Sequence, residues 1–302
     1  MLNVYEQVER NKRRSATVMI VFTLFVVGVA WIFGEASGYG LTFVGWALIF
    51  SGLMSFASYY YSDKIILSLS GAREADRKRD FQFYTVTENL AMAAQLPMPK
   101  LYVIEDTAMN AFATGRDPQH AVICITSGLL SRLDRTELEG VISHELSHVS
   151  NYDIRLMAIV TVMVGLITLL ADWFLRASYW GRSRRNDRDN NQLQAVFMVI
   201  GLILALLSPL IAQLIQLAIS RRREFLADAA GVKLTRFPAG LIRALEKISK
   251  DREPLEAANK ATAHLYIANP LKNRHDSIGW FSSLFSTHPP IKERLAALKA
   301  MS

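Results

Sequence analysis

The chain has 302 residues, 51% of them hydrophobic, yet it carries 34 Lys and Arg against 27 Asp and Glu. That mixture excludes a uniformly apolar bundle and a wholly solvated globule, and reads as part membrane and part soluble domain. A single cysteine, Cys124, excludes an internal disulfide and fits a reducing compartment.

In chain order, residues 15–33 hold no ionisable side chain and follow the basic stretch 10–14. This run is longer than the core of a secretory signal, and a second charge-free run, 36–62, follows at once. An uncleaved membrane hairpin over 1–62 is therefore expected, since a span needs about 20 apolar residues. Much of the formal net charge of +7 lies beside the chain's apolar runs, at Lys12, Arg13, Arg14, Lys64, Arg73, Arg77 to Arg79 and Arg221 to Arg223. Charge placed there reads as topology and contact with lipid headgroups, and no nucleic-acid partner is expected.

The first soluble block, 63–153, opens with helical spacing over 81–95 ("FQFYTVTENLAMAAQ") that stops at Leu96-Pro97. "LYVIED", "NAFATG" and "HAVICIT" follow and read as short strands, rich in β-branched and aromatic residues. The last contains Ala121, Val122, Ile123, Cys124, Ile125 and Thr126, expected as an edge strand able to hold an extended peptide by strand addition. Cys124 within it reads as a packed core thiol. Asp134 then begins "DRTELEGVISHELSHVS", where Asp134 can cap a helix and Glu137 can reach back to complete a capping box.

On that helix His144 and His148 are four residues apart, so both imidazoles leave one face about one turn apart, the spacing at which two nitrogens share one zinc ion. Glu145 directly follows the first histidine and suits the role of general base toward the attacking water without being a ligand. From His148 to Leu156 is eight residues, about 12 Å if helical, which sets such a metal close to a membrane surface.

A third apolar run, 156–171, and a fourth, 190–220, form a second hydrophobic hairpin, 154–220. The loop between them holds Arg176, Arg182, Arg184, Arg185 and Arg188. The positive-inside rule argues for the cytoplasm there, whereas a simple four-span path places it outside. A full crossing is the preferred reading, because leaving the charge-free 190–220 uninserted is costly. Either path returns the chain to the same side by Arg221.

The second soluble block, 221–302, begins "RRREFLADAAGVKL". Glu224 and Asp228 are again four apart. An open tetrahedral zinc site needs a third protein ligand, so Glu224 is read as that ligand rather than as a mere partner of the neighbouring arginines, and Asp228 as the carboxylate that orients a ligand histidine. Near the C-terminus His288 opens "HPPIKERLAAL". It either belongs to a rigid turn that places Pro290 at a helix start, or donates to the tetrahedral oxyanion while Arg294 holds its loop. His120, His264 and His275 read as surface residues.

Taken together, "HELSHVSNYD", "EFLADAAG", "NAFATG" and "THPPIKERL" resemble the HtpX family of bacterial membrane zinc endopeptidases, relatives of the CAAX prenyl endopeptidases. The resemblance runs nearly end to end. It implies an α-helical membrane protein with an α+β zinc metalloprotease (gluzincin-like) domain and two to four transmembrane helices. One zinc per chain would sit on His144, His148 and Glu224, with Glu145 as catalytic base. It also implies a multi-pass protein of the bacterial inner membrane, its site facing the cytoplasm, that cleaves misfolded or damaged membrane proteins. The alternative is a non-catalytic membrane scaffold with a structural zinc; a closed site of that kind needs four protein ligands, and the sequence offers three and a spare glutamate.

Overall fold

The structure is a computed structural model that describes residues 4–37, 42–163, 165–166, 221–251, 253–257, 262, 265–268 and 289–301. The first two apolar runs lie on long antiparallel helices, α1 (Val4–Ser37) and α2 (Thr42–Leu69). Ile20, Leu24, Trp46, Leu53 and Phe56 on them are each more than half exposed. Among the described residues no helix is long and apolar enough to cross a membrane. The expected boundary at residue 63 falls inside α2, which continues through Asp63 and Lys64 and buries Ile66 and Leu67 in the core behind the sheet. Of the second hairpin, residues 154–163 are helical, and most of 164–220 lies outside the described residues.

Four strands form one sheet in the order β1-β2-β4-β3: β1 (Arg73–Glu74), β2 (Lys100–Ile104), β3 (Ala111–Gly115) and β4 (Ala121–Thr126). β2 runs parallel to β4, and β3 runs antiparallel to it. The expectation of an edge strand at Ala121 to Thr126 is therefore corrected. β4 is internal, with its backbone groups spent on β2 and β3, and cannot accept a further strand. Among the described residues the sheet ends at β1 on one side and at β3 on the other.

Why the apolar run of β4 concealed this is visible in its packing. Ala121, Ile123 and Ile125 enter one core, while Val122 and Cys124 enter another on the opposite face. A strand covered on both faces reads as continuously apolar rather than alternating. The first core is roofed by α3 (Phe81–Ala93) and α5 (Arg135–Ser150), which follows the short α4 (Ser127–Arg132). The second receives Phe22 of α1, Ile66 of α2 and Leu156 to Val160, so the helical hairpin packs directly on the back of the sheet. Cys124 is buried there as a free thiol, and burial pushes its pKa up.

Three further helices close the domain: α6 (Arg221–Thr235), α7 (Pro238–Lys250) and α8 (Ile291–Lys299). The capping box forms as the spacing predicts, with Asp134 Oδ1 accepting from the Glu137 amide at 2.9 Å and the Asp134 amide donating to Glu137 Oε2 at 2.8 Å. Glu137 also accepts from Lys247 Nζ at 2.6 Å, which ties α7 to the start of α5. The crossing of α5 and α7 depends on a glycine. A β-carbon at Gly140 would lie 2.6 Å from the backbone nitrogen of Leu241, so any side chain there would force the helices apart.

Candidate metal centre

His144 and His148 lie in the last two turns of α5, a helix buried along most of its length by Leu138, Val141, Ile142, Leu146 and Val149. Glu224, in the first turn of α6, faces them, and Asp228 lies one turn on. Gly231 lets the α6 backbone come this close, since a β-carbon there would meet Ser143 Oγ at 2.9 Å and the His144 backbone nitrogen at 3.2 Å. Three residues thus converge, His144, His148 and Glu224, all buried, with one ligand atom of each within 4.8 Å of the others.

The distances match a metal site. His144 Nε2 and His148 Nε2 are 3.2 Å apart, and each lies 3.6 Å from a Glu224 carboxylate oxygen. Ligands standing about 2.0 to 2.2 Å from a tetrahedral metal are separated by about 3.3 to 3.6 Å. The far side of each ring agrees. His144 Nδ1 is 2.9 Å from Asp228 Oδ1, and His148 Nδ1 is 3.2 Å from Asp153 Oδ2. A carboxylate only accepts, so each Nδ1 carries a proton, and each Nε2 is the atom that turns a lone pair toward the common point once a cation displaces any second proton. Two imidazole Nε2 atoms converging with a carboxylate in a buried pocket are a donor set for a cation.

The electrostatics follow from burial and from Arg294. This arginine is fully buried, and it grips Asp228 with two parallel bonds, Nε to Oδ2 at 2.9 Å and Nη2 to Oδ1 at 2.6 Å. Burial would lift the Asp228 carboxyl, but the Arg294 charge and the His144 hydrogen bond hold it down at about 2. Burial and Arg294 press the His144 imidazole downward, yet its bonds to Asp228 and Glu224 lift its pKa to about 9. His148 is lifted too, against burial, by its bond to Asp153. Arg294 Nη1 has no hydrogen-bond partner among the described residues and stands 3.8 Å from Glu224 Oε2. Glu145 is buried on α5 beside this group.

The comparisons with known proteins agree with this geometry. The sequence profile of Peptidase family M48 matches residues 77–302. The chain belongs to peptidase family M48. Over 300 residues it is 45% identical to a protease HtpX homolog of Dictyoglomus thermophilum, covering 98% of this chain and 94% of that one. A protease HtpX homolog of Caldanaerobacter subterraneus subsp. tengcongensis is 42% identical over 301 residues, 99% of this chain and 98% of its own. That of Streptococcus uberis is 42% identical over 305 residues, 99% and 100% respectively. The crystal structure of S. mikatae Ste24p shares the fold at a TM-score of 0.53 and 19% identity, over 97% of this chain and 67% of that one. As an M48 peptidase the chain is a metalloendopeptidase, and polypeptides are its substrates.

Within this M48 domain the structure brings together His144, Glu145, His148, Glu224 and Asp228. His288 lies outside the described residues, as do His264 and His275. His120 is half exposed, and its ring Nδ1 lies 2.6 Å from Asp117. Arg294 reaches from α8 into the site and clamps Asp228, while the His288 loop that it was expected to hold lies outside the described residues. Two partners were missed from sequence. Asp153 stands five residues after His148 in "HVSNYD", close enough to have been tested as its partner, and Arg223, 3.2 Å from Asp153, was read only as flanking charge.

Proposed function

We propose that this M48 peptidase is a zinc enzyme of the bacterial inner membrane that cleaves damaged or misfolded membrane proteins on the cytoplasmic side. The observation that carries the reading is the trio of donor atoms on His144, His148 and Glu224, set at tetrahedral spacing with both imidazoles oriented from behind by carboxylates. When bound, zinc supplies Lewis-acid chemistry, acidifying water and polarising a scissile carbonyl. Glu145 takes the proton of the attacking water and returns it to the departing amine. Arg294 keeps Asp228 ionised and aimed at His144, and its spare Nη1 donates to an oxygen entering beside Glu224.

Substrate is held extended along Ala113 to Gly115 of β3, past Ala111, whose carbonyl already accepts from the Ile267 amide at 2.9 Å, in place of the internal β4. Two divisions of the chain, 63–153 and 221–302, build the catalytic domain jointly, since each supplies part of the donor set. Purified full-length protein should cleave an unfolded membrane-protein substrate, lose that activity with a chelator and regain it with zinc. Cleavage indifferent to the chelator would overturn the zinc reading.

The membrane placement rests on the charge-free runs 15–33, 36–62 and 190–220 and on the exposed apolar side chains of α1 and α2. For the second hairpin a full crossing is favoured. A cysteine at Ser183 in a Cys124→Ser background should react with a membrane-impermeant maleimide in intact cells. Reaction only after the membrane is opened would leave that hairpin on the cytoplasmic side.

A further inference from the structure

The His148 side of the centre reaches a helix that the catalytic domain does not contain. Asp153, the carboxylate behind His148, is buried and also accepts from Arg223 Nη1 at 3.2 Å and from Asn11 Nδ2 at 2.8 Å. Asn11 belongs to α1, 142 residues earlier, and is itself only 4% exposed. Its amide donates as well to the Asn151 carbonyl at 2.9 Å, so both of its N–H groups serve the same short loop. The next residue adds to this: Lys12 Nζ lies 4.9 Å from the centroid of the Tyr152 ring.

The loop has reason to need holding. Tyr152 sits at φ 59°, in the left-handed region that a bulky residue keeps only when its surroundings impose it. This turn ends α5 at Asn151 and swings Asp153 back beneath His148. Removing the amide at position 11 would leave Asn151 without its donor and free Asp153 to turn toward Arg223, away from the imidazole.

We infer that Asn11 is a positioning residue for the metal ligand His148, acting through Asp153, so that the N-terminal helix is a working part of the metal centre as well as an anchor. This rests on the reading of His148 as a ligand. Asn11 lies four residues before the charge-free run 15–33 begins, about 6 Å along the helix, so the same contact holds the metal centre against the expected membrane surface.

The test is a double-mutant cycle on full-length protein in detergent, stripped of metal and titrated with zinc against a competing chelator. Asp153→Ala should weaken zinc by about 10- to 100-fold, and Asn11→Leu, which keeps the size and removes both donors, by about 5- to 10-fold. In the Asp153→Ala background Asn11→Leu should cost less than about 2-fold, because the route is already broken. Parent affinity in Asn11→Leu overturns the inference, and so does an equal loss in both backgrounds, which would mark a contact that only holds the fold. Should Asn11→Leu fail to fold, Asn11→Ser carries the same two outcomes. A parent protein that binds no zinc overturns the metal reading itself, and the inference with it.

Discussion

Glu145→Gln is expected to keep its metal and lose about 100- to 10,000-fold in cleavage rate, the range over which a positioned proton acceptor contributes. Glu145 follows His144 on α5, so it leaves the helix about 100° around from His144 and about 60° from His148, and is absent from the trio of converging donor atoms. The amide preserves its shape and packing but cannot take a proton from water. Metal content and turnover, measured on one preparation, separate the possibilities. A rate near the parent's removes Glu145 from the mechanism, and loss of the metal would make it a ligand.

The second large effect distinguishes two carboxylates one turn apart on α6. Glu224→Ala removes a donor that lies 3.6 Å from both imidazole Nε2 atoms, and should weaken metal binding well beyond the roughly 10- to 100-fold expected of Asp228→Ala. The stability of the metal-free protein should order them the other way. Asp228 is the bidentate partner of the fully buried Arg294, and its removal strands that charge at a cost of about 3 to 5 kcal/mol. Glu224 has a looser hold on the same arginine, at 3.8 Å, so its loss should cost the metal-free fold less. Zinc titration and thermal melting of the stripped proteins check both halves. The reverse order of affinities would mean that Asp228 is the ligand and Glu224 its support.

Much of the site was readable because its parts are local. The capping box at Asp134 and Glu137, the helix it starts and the i, i+4 histidines all depend on contacts within one or two turns, which the helical period dictates. Glu224, 76 residues beyond His148, was reached by chemical need rather than by pattern, since an open metal site lacks a third donor and a second i, i+4 acidic pair stands where the chain returns. The helix over 81–95 came out two residues shorter, ending at Ala93 before Gln95 takes φ 55°.

What the sequence determined by itself was therefore the elements and the donor set: amphipathic or charge-free periods, a cap, and residue types whose spacing on one helix already aims them. What only the tertiary structure decided was partnership between elements. The β-strand period says which face a residue takes, but strand order is set by how the whole sheet closes, and a strand buried on both faces gives no sign of being internal; so β4 was mistaken for an edge. A polar side chain likewise carries no record of its partner. Arg294 on Asp228, Asp153 behind His148 and Asn11 on Asp153 pair because burial denies them water and the packing of α1, α5, α6 and α8 brings their donors and acceptors within reach of one another.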